Sequence, residues 1–272
     1  MPPRHFSPLD LCRSLVAHRD LCLRMTVREV TQRFRGSMLG MVWAVLTPLL
    51  TAAVFTLVFT GIFPSRWPRG EGSSFDFAMI LLVGLGIYNL FAEVIGRAPQ
   101  LVVGNPSYVT KVVFPLEILP AVAILSGLVN LSVTFAIVLA GHLLAHGALS
   151  WTALFLPVVL LPFLIFLLGA ALLVAAIGVF IRDISLVVAP MISMLMFLSP
   201  IFFPLEAVPE SWRFLVRLNP VTSVIEQSRT VVLFGGMPDF SGLLLYAVVA
   251  TAILAFAYYV FQRLRPGFAD VL

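Results

Sequence analysis

Residues 118–181 read ILPAVAILSGLVNLSVTFAIVLAGHLLAHGALSWTALFLPVVLLPFLIFLLGAALLVAAIGVFI, 64 consecutive residues without an Asp, Glu, Lys or Arg. A helix needs about 20 apolar residues to cross roughly 30 Å of hydrocarbon. This run is too long for one crossing and suits two. Ala145-His146-Gly147-Ala148, with Trp151 after it, divides the run, because glycine interrupts helices and tryptophan favours the membrane interface. Outward from this stretch, other charge-free runs give further spans. The run from Gly36 to Ser65 gives one at about residues 40–63, and Phe77 to Ala92 with its flanks gives one at about 75–96. Ile184 to Leu205 gives a fifth and Phe240 to Gln262 a sixth. The expectation is an all-α membrane protein with six transmembrane helices over residues 40–262.

Composition agrees. Of 272 residues, 60% are hydrophobic and 11% charged, and the mean hydropathy is +1.05. Ordinary soluble domains carry about 25% charged residues to cover their surface. A soluble enzyme, a disulfide scaffold and a disordered chain are therefore excluded. The net charge of +4 fits arginine retained on the cytoplasmic side better than nucleic-acid binding, so no nucleic-acid partner is expected. Between the six spans, Lys and Arg divide twelve against five, which puts both termini in the cytoplasm. The first long apolar run begins near residue 40 and no cleavage site precedes it, so no signal peptide is expected. Cys12 and Cys22, in an Arg-rich segment, read as reduced thiols.

Three segments do not span. In residues 1–39, the stretch 8–35 alternates apolar and basic residues at helical spacing. Leu11, Leu15, Leu21, Leu23, Val27 and Val30 are placed toward one side, as in a helix lying among headgroups. Two readings stay open here: a cytoplasmic charge bias alone, or contact with a cytoplasmic partner. Residues 97–114 form the internal cytoplasmic loop, with prolines at both ends and the chain's only lysine, Lys111. They read as a short helix lying crosswise at the membrane face, or as a plain connection. Residues 204–239 are too apolar for a solvated loop, yet Pro204, Pro209, Asn219-Pro220 and Gly235-Gly236 cut them into pieces too short to cross. Two short helices that dip into the outer leaflet and return fit this pattern. Residues 263–272 form a cytoplasmic C-terminal tail.

Catalytic chemistry has little to rest on. No G-x-x-x-x-G-K-[ST] motif occurs, so no P-loop binds ATP in this chain. His5, His18, His142 and His146 show no metal-binding spacing, and neither a metal nor a cofactor is expected in the chain. Glu93 with Arg97 at i+4, Glu117, and the Arg182-Asp183 pair read as structural ion pairs near the inner surface. No charge falls at mid-membrane, which argues against a gradient-driven transporter. Small residues, Gly84 and Gly86 in the second span and Gly169, Ala170, Ala171, Ala175, Ala176 and Gly178 in the fourth, allow close helix packing. Aromatic residues toward the outer half include Trp67, Phe75, Phe77, Phe197, Phe202, Phe203, Trp212 and Phe214. They suit either an interfacial belt or stacking on sugar rings.

Several motifs carry a family likeness. Arg35-Gly36-Ser37-x-Leu39-Gly40-x-x-Trp43-x-x-x-x-Pro48, Lys111-Val112-Val113-Phe114-Pro115-Leu116-Glu117, Arg182-Asp183-Ile184, Ser199-Pro200-Ile201, Pro209-x-x-Trp212 with Asn219-Pro220, and Arg229 occur in family order. Together the chain resembles ABC-2-type polysaccharide export permeases, the transmembrane subunits of O-antigen, capsule or teichoic-acid ABC transporters. The resemblance implies a homodimeric channel in the bacterial inner membrane, exporting a lipid-linked cell-surface polysaccharide. Two separate ATP-binding cassette subunits would hold the ATP and Mg, and a periplasmic export protein is a further implied partner. It implies coupling to the ATPase through Arg97, Asn105, Pro106, Ser107, Tyr108 and Lys111, with Arg33 and Arg35 of the N-terminal helix. It further implies a gate and pathway at Trp67, Phe202, Phe203, Trp212, Phe214, Asn219, Pro220 and Arg229. An ABC-2 permease for another cargo, such as a drug, lipid or haem, is the main alternative; a non-transporting membrane scaffold is a weaker one.

Overall fold

The computed structural model describes residues 8–58, 74–110 and 114–272. Within them the chain forms helices α1 (Pro8–Ala17), α2 (Arg19–Phe34), α3 (Val42–Thr56), α4 (Ser74–Arg97), α5 (Gln100–Val103) and α6 (Pro106–Thr110). It continues through α7 (Ile118–His146), α8 (Leu156–Phe180), α9 (Ile184–Phe197), α10 (Glu210–Leu218), α11 (Pro220–Val232), α12 (Phe240–Leu264) and α13 (Phe268–Val271). The described residues contain no strand.

Four helical stretches are long and apolar enough to cross a bilayer: Ser74–Arg97, Ile118–His146, Trp151–Phe180 and Phe240–Val271. The 64-residue run divides where its glycine requires. Gly147 takes φ +71° at the end of α7, and its N–H closes on the Leu143 carbonyl at 2.8 Å. That left-handed conformation costs glycine little, since it has no Cβ. The other two expected spans correspond to shorter helices. α3 covers 15 residues, and the expected first span runs on beyond it into residues 59–73, which lie outside the described residues. α9 covers 14 residues. It stops at Phe197, short of the expected 205, where the Ser199 hydroxyl turns back to the Leu195 carbonyl at 2.6 Å and Pro200 has no N–H with which to continue.

α4 is the central helix, buried from Phe77 to Ile95 on nearly every face and packed against α3, α7, α8, α9 and α11. The small residues act as their sequence suggests. A Cβ on Gly169 would lie 2.9 Å from the Leu254 Cα, so the backbones of α8 and α12 meet there. A Cβ on Gly178 would lie 2.6 Å from the Pro99 carbonyl oxygen, and Ala171, Ala175 and Ala176 are fully buried. Without a hydrophobic force between helices in lipid, such close approach is what packing has to offer.

The N-terminal stripe differs from expectation, and the C-terminal tail has helical structure of its own. The N-terminal segment is two helices, broken at His18. Its buried stripe is Leu11, Cys22 and Thr26, with Leu15, Leu21 and Val30 half-buried, whereas Leu23 and Val27 are exposed. Each of those two follows a buried residue by one position, and a 100° step per residue carries it off the stripe. Within the expected C-terminal tail, residues 265–271 form two short helical turns that pack on the bundle. Phe268 is fully buried, with ring centroids 5.9 Å from Phe180 and 5.5 Å from Phe261.

Among the described helices of strongly apolar sequence, α3 and α9 bury the fewest residues. Each buries one residue, Ala52 and Val188 respectively, and each carries an interior proline, Pro48 and Pro190.

Candidate functional site

At the C-terminal end of α4, Arg97 Nη1 lies 3.6 Å from the Glu93 Oε1 one turn earlier, the pair its spacing suggests. Elements distant in sequence complete the cluster. Arg33 of α2 pairs with Glu93, Arg97 Nη1 donates to Glu29 Oε1 at 2.6 Å, and Asn130 Nδ2 of α7 donates to Glu93 Oε2 at 3.0 Å. Two arginines thus face two carboxylates, and the cluster fastens α2 onto α4 and α7. Arg35 lies just beyond α2, is exposed and takes no part.

Glu117 forms a second junction. It is 6% exposed, accepts from the Ser14 hydroxyl of α1 at 2.9 Å and pairs with Arg265 Nη1 at 3.3 Å. Arg265 Nη2 also donates to the Phe114 carbonyl at 2.9 Å. The chain's N-terminal helix, the start of α7 and the end of α12 meet at this carboxylate. Arg182 and Asp183 do not form the expected pair. Both are exposed in the turn before α9, and no ion pair joins them.

Between these junctions the loop over residues 97–114 departs from a single crosswise helix. It is α5 and α6, separated at Gly104-Asn105, where Asn105 Nδ2 donates to the Leu101 carbonyl at 3.0 Å. Leu101 and Val102 are buried, and Pro106 and Ser107 project. Tyr108 lies flat on Phe114, with centroids 4.4 Å apart. Lys111 lies outside the described residues.

At the far end of α4, Arg229 of α11 is fully buried. Its Nη1 donates to the Pro200 carbonyl at 2.6 Å, Nη2 to Ile201 at 3.1 Å and Nε to Ile80 at 3.2 Å, and Glu226 Oε1 stands 3.0 Å from Nη1. Burial pulls this guanidinium down to about 10, opposed by Glu226, so it remains a cation at neutral pH. One side chain therefore ties α11, α4 and the turn after α9 together. Asn219, between α10 and α11, caps α11 through Oδ1 to Val221 N at 3.0 Å. Its Nδ2 donates to Ser199 Oγ at 2.8 Å. Pro220 follows at the first helical position, where its missing N–H costs nothing.

The aromatic residues separate into two groups. Phe202 is 9% exposed and packs on Phe55 of α3 at 5.0 Å, with Phe203 half-buried beside it. Trp212 and Phe214, by contrast, are 61% and 67% exposed on α10. Trp67 lies outside the described residues. On the same side, His142 and His146 stack at 4.4 Å, and His146 Nε2 lies 3.6 Å from Asp76 Oδ1.

Comparison with known proteins places this architecture. The family described as ABC-2 type transporter matches residues 20–233. The chain belongs to the ABC-2 type transporter family. An O-antigen export system permease protein from Myxococcus xanthus is 31% identical over 96% of this chain and 99% of its own length. One from Klebsiella pneumoniae is 23% identical over 93% and 95%. A polysialic acid transport protein from Escherichia coli is 27% identical over 77% and 80%. This ABC-2 chain is a multi-pass membrane protein, and four of its described helices are long and apolar enough to cross a membrane.

Sequence reasoning missed Glu29, Ser14, Asn130 and Arg265, the partners that complete the inner junctions. Each lies at least 37 residues from the carboxylate or arginine it meets, and helical spacing speaks only to neighbours within a turn or so. The role of Ser199 was within reach, since Ser199-Pro200 and Asn219-Pro220 stood out as motifs, but not their bond to each other.

Proposed function

We propose that this chain is the membrane subunit of an ATP-driven exporter of a lipid-linked cell-surface polysaccharide in a bacterial inner membrane. The observation that carries this reading is the full-length match to O-antigen export permeases. In this reading six helices cross, with α3 and α9 as parts of the first and fifth, and both termini are cytoplasmic. Two copies form the channel, and two separate ATP-binding subunits carry the ATP and Mg.

The ATPase docks on the face that holds α1, α2, α5 and α6. The projecting Pro106-Ser107 tip, with Asn105 at its base, enters it, Tyr108 flanks the contact, and Lys111 is the cation the same loop brings to the ATPase. The cluster of Arg33, Glu93, Arg97 and Glu29 passes movement of that face to α4, whose far end is held by Arg229. The turn around Phe202 and Phe203 and the short helices α10 and α11, carrying Trp212, Phe214, Asn219 and Pro220, form the outer gate. Closure of the ATPase dimer on ATP thereby shifts the outer segment through one rigid helix.

The test is complementation. The chain is expressed with its cognate ATPase in a strain that makes an O-antigen but lacks its own permease. Surface glycan is expected only when both proteins and ATP hydrolysis are present. Glycan reaching the surface with a hydrolysis-dead ATPase, or failure of the two proteins to co-purify, would overturn the reading.

A further inference from the structure

α4 is buried along almost its whole apolar length, but Asn89 is not. Among residues 79–92 of α4, Asn89 alone is exposed, and its side-chain amide has no hydrogen-bond partner among the described residues. It stands roughly 12 Å along the helix axis from Arg97, well inside the span. An amide turned toward hydrocarbon with nothing to bond is costly, so whatever it faces is polar.

Asn89 opens into a cleft of about 300 Å³ between α2, α3, α4 and α7. Thr47 and Thr51 of α3 and Asn130 of α7 share its wall, Trp43 stands beside them, and Glu93 with Arg33 lies at its inner end. Thr47 is exposed, and Trp43 is 41% exposed. The cleft thus offers amides, hydroxyls and a carboxylate beside an indole face, at the small end of the range for small-molecule sites. Its charges cancel: Arg33 and Arg97 are matched by Glu29 and Glu93. A phosphate or other anion finds no unpaired cation here. A ring carrying many hydroxyls finds donors and acceptors for each, and an aromatic surface for its C–H face.

We infer that this cleft binds a sugar ring of the glycolipid on the inner side of the membrane, with Asn89 as the residue that positions its hydroxyls. The inference rests on the export reading above for the source of the sugar, but not for the binding itself.

The test uses the full chain in phosphatidylcholine nanodiscs and a diazirine-bearing octyl glucoside. Label is expected in the peptides holding residues 43–51 and 89–93, displaced by free octyl glucoside and not by phosphatidylglycerol. Asn89→Leu should weaken labelling about tenfold, the loss of roughly one hydrogen bond's worth of binding, with an unchanged melting temperature. Thr51→Val should weaken it less. Equal displacement by phosphatidylglycerol would overturn the inference in favour of an anionic headgroup site. Spontaneous disulfide dimers of Asn89→Cys would overturn it in favour of a seam between two copies. Unchanged labelling in Asn89→Leu, with export by the wild type intact, would overturn it and leave the export reading standing. Intact labelling without export in the complementation strain would support the cleft and refute that reading.

Discussion

Gly84 on α4 gives Arg229 on α11 its place: a Cβ at position 84 would lie 2.7 Å from Arg229 Nη2. The guanidinium cannot easily retreat, because its other nitrogens hold the Pro200 and Ile80 carbonyls. Gly84→Ala is expected to lower stability by about 2 kcal/mol, the usual cost of overfilling a packed site. Arg229→Leu should cost about 3 kcal/mol or more, since it strands the buried carbonyls of Pro200, Ile201 and Ile80. Arg229→Lys should fall between, keeping the charge but not the planar fan of donors. Melting temperatures of the detergent-solubilised protein check the order. A Gly84→Ala protein as stable as wild type would show that Arg229 has another seat.

Arg33 and Glu93 join α2 to α4 across 60 residues of sequence. The two side chains are 31% and 20% exposed, so solvent screens the pair in part and it is worth about as much as a strong surface bridge. Arg33→Glu and Glu93→Arg should each destabilise the protein, and the double exchange should recover about 1 kcal/mol. If the double variant is merely the sum of the two, the pair carries no coupling between these helices.

Glu117 is the sole described carboxylate that α1, α7 and the end of α12 share. Glu117→Leu leaves Ser14 and Arg265 without their partner. Loosening of the N-terminal helix should follow, read as faster proteolysis near residues 8–17 and a stability loss of about 2 kcal/mol. Glu117→Gln, which still accepts from Ser14, should loosen it less.

Tyr108 is half-buried on Phe114 next to the projecting tip at Pro106 and Ser107. In the exporter reading, Tyr108→Ala should reduce co-purification of the ATPase several-fold while leaving the melting temperature within about 1 kcal/mol equivalent of wild type. Loss of both together would mark Tyr108 as a packing residue instead.

Much of this arrangement is written in local pattern. The division of residues 118–181 at Gly147, the two short helices broken at Asn219-Pro220, and the tight seam at Gly169 follow from helix length, capping and residue size. The Glu93–Arg97 pair is legible because i and i+4 share a face. What could not be read depends on which helix face meets which neighbour. The N-terminal stripe passes through Cys22 and Thr26 rather than Leu23 and Val27, because hydropathy alone does not distinguish a residue facing protein from one facing lipid. Asn89 is hidden from such reading for the same reason: a polar residue within a span is as consistent with a buried hydrogen bond as with an open cleft.

Pro48 and Pro190 each remove one backbone bond, to the carbonyls of Ala44 and Leu186 respectively. Among the described apolar helices, these breaks fall in the two that bury one residue apiece; α8 has its own interior proline, Pro162, but buries twelve residues. Compliance is therefore concentrated in α3 and α9, while α4, α8 and α12 stay stiff. Bending at these two prolines costs little helix packing, and backbone amides near them should exchange with deuterium sooner than those of the seam at Gly169.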